Sequence, residues 1–200
     1  LKNIIKISIL DNLKKNSIAF NIIKKIDLQN YHKYSEIIEH RELMKKNNRL
    51  IKPKNVKKIK KLKFYKDLKK ILPYFKIINF ENIYKEEIDY RIVRPNKKDV
   101  SPLHRDEWFW SLNKRKINKN ATRIKIWIPL ICERGKNGLR YVHKSHLDKF
   151  ELKSTTKRDD GIFKPGEINK KFKVNIFKSD PGDCFIFNDK LIHGGLSGGS

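Results

Sequence analysis

The sequence predicts a mainly β fold preceded by helices: a helical N-terminal region over residues 1–80 packs on a core over residues 81–200, in one domain. Three observations carry that expectation. Up to Phe80 the apolar residues recur mostly at helical intervals. After Asn79 they shorten to alternating or apolar runs bounded by Pro, Gly and Asn, which is how strands of an all-β sandwich or barrel read. The length of 200 residues allows one domain with a real core and leaves little room for a second.

The helical part rests on Ile18, Ile22, Ile23 and Ile26, then Ile37, Ile38, Leu43 and Met44, with Lys and Asn on the other faces. Pro53 interrupts the pattern. A further helix is expected from Val56 to Leu72, with Ile59, Leu62, Leu68 and Leu72 as one apolar stripe and Pro73 as its stop. The expected strands are Tyr90 to Arg94, Leu103 to Phe109, Arg123 to Leu130, Leu139 to Val142, Lys173 to Phe177, Cys184 to Phe187 and Leu191 to Gly194. Between them Lys149 to Lys171 is a charged stretch containing Gly161 and Pro165-Gly166, expected as a long loop over a pocket mouth.

A net charge of +26, from 48 Lys and Arg against 22 Asp and Glu, would attract anions. Most of the excess is Lys spread through both halves alongside Ile and Asn, as AT-rich coding also produces, and no stretch matches a nucleic-acid module. The expected partner is therefore a small molecule, mildly favoured to be anionic, rather than nucleic acid. Cys132 and Cys184 form neither a CxxC pair nor a disulfide framework, which fits a reducing, cytoplasmic setting. No apolar run reaches the roughly 18 residues of a membrane span. Nothing in the sequence sets the oligomeric state.

Two constellations carry chemistry. The first is Ser101-Pro102-Leu103-His104-Arg105-Asp106-Glu107-Trp108-Phe109-Trp110. On a strand, residues two apart share a face, so His104 and Asp106 can converge on one metal. The second runs from Asp180-Pro181-Gly182-Asp183 through an apolar segment and an Asn188-Asp189 corner to His193-Gly194-Gly195. A Pro-Gly-Asp turn starts a strand, the polar corner reverses it, and His193 begins the return. Two imidazoles and one carboxylate on one face of an octahedron leave three positions open, an arrangement that suits non-heme iron(II). His143 and His146 are three apart at a strand end and are expected to be structural or surface residues.

In this order the chain resembles the phytanoyl-CoA hydroxylase family over about Tyr90 to Ser200. The matches are His104-Arg105-Asp106, the apolar strand Ile124-Lys125-Ile126-Trp127-Ile128-Pro129-Leu130, Leu139-Arg140-Tyr141-Val142-His143-Lys144-Ser145-His146, Gly182 to Phe187, and Leu191-Ile192-His193-Gly194. The resemblance implies a double-stranded β-helix, the jelly-roll of cupin-like proteins, built of two sheets with the iron between them. It implies His104, Asp106 and His193 as ligands of Fe(II), Trp127 lining the 2-oxoglutarate pocket, and Arg105 near that cosubstrate. The implied activity is a dioxygenase reaction: O2 and 2-oxoglutarate are consumed, succinate and CO2 are released, and an unactivated C–H bond is hydroxylated. Asp106 occupies the position that a halide would need in a halogenase, so hydroxylation is the expected outcome.

The family anchors the distal carboxylate of 2-oxoglutarate with an arginine on the strand after the third ligand, because a guanidinium matches a planar carboxylate. That position lies past Ser200, and the core is expected to have its last strand, with the arginine, cut off. The rival expectation is a non-catalytic basic jelly-roll or a nucleic-acid-binding protein using the Lys-rich helices.

Overall fold

In a computed structural model of the chain the described residues are 57, 60–78, 88, 93, 100–114, 122–129, 132–150, 155–157, 161, 163–165, 168 and 171–196. The helices expected over residues 1–55 lie outside them, as does the strand expected at 90–94 apart from Val93. Contacts divide the chain into two units. One comprises Leu1–Asp99, Ile128–Ile131 and Pro181–Cys184, and the other Val100–Trp127, Cys132–Asp180 and Phe185–Ser200.

In the first unit α1 spans Lys63–Ile71. The helix expected from Val56 to Leu72 is interrupted: Lys57 is helical, but residues 60–62 turn and Leu62 is extended, with φ −70° and ψ 151°, before α1 begins. Leu62, Tyr65 and Leu68 recur every third residue and are buried, forming the apolar stripe of this short helix. Leu72, which precedes Pro73, leaves the helical region as a residue before proline must, and the helix ends. Lys69 then closes the end of the segment: its ammonium donates to the Phe75 carbonyl at 2.7 Å and lies 4.7 Å from the centre of that ring. In the same unit Gly182 has φ +87°, the left-handed conformation required after Pro181 in a tight turn, and its N–H donates to the Pro129 carbonyl at 2.8 Å. Burial, aided by the charge of Asp183, pushes the Cys184 thiol up to about 11 and keeps it protonated.

The second unit is mainly β among the described residues. Its strands are β1 (Ile124–Trp127), β2 (Gly138–Tyr141), β3 (Thr155–Lys157), β4 (Phe163–Pro165), β5 (Asn175–Phe177), β6 (Phe185–Asn188) and β7 (His193–Leu196). β1 pairs antiparallel with β6, while β5, β2 and β7 form a three-stranded antiparallel sheet in that order. The pairs Trp127↔Phe185 and Leu139↔Phe177 set the register. Period-two alternation then aims the aromatic residues of both sheets at each other. Phe177 stacks on Phe185 at 4.4 Å between ring centres, Tyr141 meets Phe185 at 5.3 Å, and Trp127 meets Phe177 edge-on at 6.1 Å. Leu139, Phe187 and Leu191 complete this core. Gly138, with φ +116°, leaves room for the Trp127 ring, since a Cβ there would stand 3.2 Å from it.

Two expectations are corrected here. Leu103 to Phe109 is not one strand: His104 forms an isolated bridge with His193, and the chain then turns into α2, Asp106–Leu112. The aromatics of this segment suggest a strand, but tertiary partners favour the helix. The Glu107 N–H donates to the Asp189 carbonyl at 3.1 Å, Asp106 and Glu107 suit the positive end of the helix dipole, and the Asn113 amide donates to the Phe109 carbonyl at 2.8 Å. Lys149 to Lys171 is not simply a loop, because it carries the antiparallel hairpin β3–β4. Asn113 ties that hairpin to the end of α2, its side chain exchanging two hydrogen bonds of 3.0 Å with the Phe163 backbone. Among the described residues no helix is long and apolar enough to cross a membrane.

Candidate metal centre

Backbone pairing fixes the first and third expected ligands against each other. The His104 N–H donates to the His193 carbonyl at 2.9 Å and the His193 N–H returns the bond at 3.0 Å, and the two rings stand 4.6 Å apart between centres. Gly194 and Gly195 make this approach possible. A Cβ on Gly194 would lie 2.9 Å from the Ser101 carbonyl oxygen and 3.0 Å from that of Pro102, and one on Gly195 would meet Val100 at 3.0 Å. The glycines after His193 are therefore needed for space.

Asp106 enters from the first residue of α2. Its Oδ1 lies 3.6 Å from His104 Nε2 and its Oδ2 lies 3.6 Å from His193 Nε2. One donor atom from each of the three residues falls within 4.8 Å of the others. The remaining ring nitrogens face carbonyls: His104 Nδ1 is 2.7 Å from the Pro102 oxygen and His193 Nδ1 is 2.9 Å from the Leu191 oxygen. A carbonyl only accepts, so each Nδ1 is placed to donate, which leaves Nε2, the nitrogen facing Asp106, as the atom able to bind a metal. Burial pushes the His193 imidazole down to about 4, partly offset by Asp106, so it is neutral at physiological pH. Burial alone would raise the Asp106 carboxyl, but the Lys125 ammonium and the contacts with His104 and His193 outweigh it and hold the group well below the usual carboxylate range. Two imidazoles and one carboxylate are the donor set of a divalent transition metal with open positions, and the residues present fit iron(II).

Lys125 completes the electrostatics, its Nζ standing 2.6 Å from Asp106 Oδ2. The sequence carries a signal for it: a lysine two residues before Trp127 on an otherwise apolar strand lies on the same face as that ring. Arg123, which also precedes Trp127, is committed elsewhere. Its Nε donates to Asp189 Oδ2 at 2.5 Å and its guanidinium lies 4.7 Å from the centre of the Trp110 ring. That pair braces the corner whose carbonyl holds the start of α2.

Arg105 and Trp127 occupy different settings. Trp127 packs in the aromatic core between the sheets. Arg105 is 3% exposed and turns to the 3-10 segment Ser145–Leu147, where one guanidinium nitrogen donates to the carbonyls of Ser145 and, at 2.8 Å, Asp148. The guanidinium also lies 4.6 Å from the centre of the Phe150 ring. The Ser145 hydroxyl in turn accepts from the Ile192 N–H at 2.8 Å, next to His193, and donates to the Val142 carbonyl. These contacts make Arg105 a brace between the first and third expected ligands. Arg105→Ala is expected to cost about 2–4 kcal/mol, because it removes a buried charged donor that ties the carbonyls of Ser145 and Asp148 to the residue after His104. Chemical denaturation measures this, and a loss below about 0.5 kcal/mol, the range of neutral surface changes, would refute the brace. His143 is exposed and His146 half-buried on the same turn, away from the triad's donor cluster.

Comparison with known proteins gives one match. The model of the phytanoyl-CoA dioxygenase (PhyH) family matches residues 35–198. Neither curated proteins nor solved structures gave a match. The matched segment covers most of the 200 residues and contains all three converging side chains. The chain accordingly belongs to the phytanoyl-CoA dioxygenase family, within the superfamily of iron(II)- and 2-oxoglutarate-dependent oxygenases.

Proposed function

We propose that this protein is an iron(II)- and 2-oxoglutarate-dependent dioxygenase that hydroxylates an unactivated C–H bond of a small, anionic molecule. The observation that carries this reading is the convergence of His104, Asp106 and His193, with both Nδ1 protons already held by backbone carbonyls. These three residues would hold the iron and leave three positions for cosubstrate and O2. When bound, the iron and 2-oxoglutarate supply the oxidising chemistry, with release of succinate and CO2.

The chain contributes orientation and shelter. The His104–His193 backbone bridge fixes the spacing of the two imidazoles, and the Asp189 corner fixes the helix start that carries Asp106. Phe187 packs on the His193 ring at 4.7 Å and keeps water from that side of the ligand. Trp127 is proposed to line the cosubstrate pocket, and the two sheets to be the two faces of a double-stranded β-helix. Substrate choice is proposed to lie with α2 and the hairpin β3–β4, which Asn113 holds beside it.

The test is spectroscopic. Anaerobic addition of Fe(II) and then 2-oxoglutarate to the wild-type protein should give a visible metal-to-ligand charge-transfer band, and His104→Ala should abolish it. A wild-type protein without the band, or a variant that retains it, refutes the assignment.

A further inference from the structure

Lys125 holds the one carboxylate that the metal needs. Its Nζ is 2.6 Å from Asp106 Oδ2, the oxygen that also faces His193 Nε2 at 3.6 Å. A metal held by Asp106 would bring two positive charges beside the ammonium and weaken its hold on that carboxylate. The Lys125 side chain is 46% exposed, so it has the freedom to swing away. The nearby arginines do not share this fate. Arg123 is held by Asp189 and Trp110, and Arg105 by the carbonyls of Ser145 and Asp148. Once displaced, the Lys125 ammonium stands beside a site with excess positive charge, where an acidic ligand is the natural counter-ion. A lysine suits such a change of partner because its charge is a point on a flexible stem, whereas a guanidinium needs a planar fork of acceptors.

We propose, resting on the oxygenase reading above, that Lys125 serves two anions in turn. It pairs with Asp106 while the centre is without metal, and it pairs with a carboxylate of the 2-oxo acid bound beside the metal once Asp106 has become a ligand. Lys125 is thus both an internal competitor of the metal and a cosubstrate-binding residue on β1.

Zn(II), which has no redox chemistry, allows both states to be measured by calorimetric titration. Lys125→Met keeps the length of the side chain and removes its charge. Without any 2-oxo acid, Lys125→Met should bind Zn(II) at least about tenfold more tightly than wild type, a gain of about 1.4 kcal/mol. With Zn(II) bound, it should bind 2-oxoglutarate about tenfold more weakly, and Lys125→Arg should recover part of that loss. 2-Oxobutanoate, which lacks the distal carboxylate, tells which end is held. Weakening for 2-oxoglutarate alone supports contact with the distal carboxylate, and weakening for both acids supports contact with the carboxylate beside the keto group.

Unchanged or weaker Zn(II) binding by Lys125→Met overturns the competition, and unchanged 2-oxoglutarate affinity overturns the cosubstrate role. A purely structural lysine would weaken both and lower the melting temperature. If wild-type protein binds Zn(II) through its triad but takes up neither acid, the oxygenase reading fails and the cosubstrate role falls with it. The Zn(II) comparison still decides the competition.

Discussion

Asp106→Ala is expected to lower iron(II) affinity by more than about 100-fold, since loss of a mere outer-shell partner of a metal ligand already costs about 10–100-fold. Asp106 is the sole carboxylate of the donor cluster, with one oxygen facing each imidazole at 3.6 Å. Its removal leaves two histidines and the Lys125 ammonium, which repels a cation. The fold should survive. Glu107 still places negative charge in the first turn of α2, whose N-terminus keeps its bond to the Asp189 carbonyl, so the dipole effect lost is about 0.3–1 kcal/mol. The substitution relieves the desolvation cost of the buried carboxylate but also loses the pairing with Lys125 that outweighs it, so some further stability is lost. Anaerobic titration of Fe(II) beside thermal melts separates the two quantities. An affinity within tenfold of wild type would remove Asp106 from the ligand set.

Gly194→Ala is expected to damage the centre from outside the donor set. The added Cβ meets the backbone oxygen of Ser101 at 2.9 Å, closer than real Cβ contacts allow, and that of Pro102 at a tight 3.0 Å, and neither neighbour is a side-chain end that can swing away. Overpacking of this kind costs about 1–3 kcal/mol. The Pro102 oxygen also accepts the proton of His104 Nδ1 at 2.7 Å, so moving it frees the ring that the bridge to His193 had oriented. Iron(II) affinity should fall by about 10–100-fold, the usual effect of losing such a partner. Gly161→Ala is the matched control. Gly161 has φ +80°, and a Cβ added there would meet nothing within 4 Å, so the substitution should lose about 1–2 kcal/mol of stability from backbone strain and no metal affinity. Equal iron(II) binding by Gly194→Ala and wild type would show that the 100–104 segment can shift without disturbing His104.

The strands were legible wherever short-range pattern and burial agree. The expected runs at 123–130, 139–142, 173–177, 184–187 and 191–194 overlap β1, β2, β5, β6 and β7, because alternation and turn residues act over neighbouring positions. Where the pattern conflicted with long-range partners it misled. Trp108 and Phe109 read as strand, yet the carbonyl of Asp189, from a distant part of the chain, caps the first turn of a helix there. Nor did the charged stretch 149–171 announce its hairpin, whose pairing is local but whose anchoring to Asn113 is not.

The sequence by itself supplied the residues able to bind a metal, His104, Asp106 and His193, and the turn and glycine signals around the third of them. Those follow from chemistry and from local backbone preference, which a linear text records. Tertiary structure alone decided how they meet: Asp106 from a helix start instead of a strand face, Arg105 turned to brace Ser145 and Asp148, Arg123 committed to Asp189, and Lys125 set against the Asp106 carboxylate. Each of these depends on which side chain of a distant element reaches a given charge first. That competition is settled by distance and burial in the folded chain, and spacing along the sequence does not encode it.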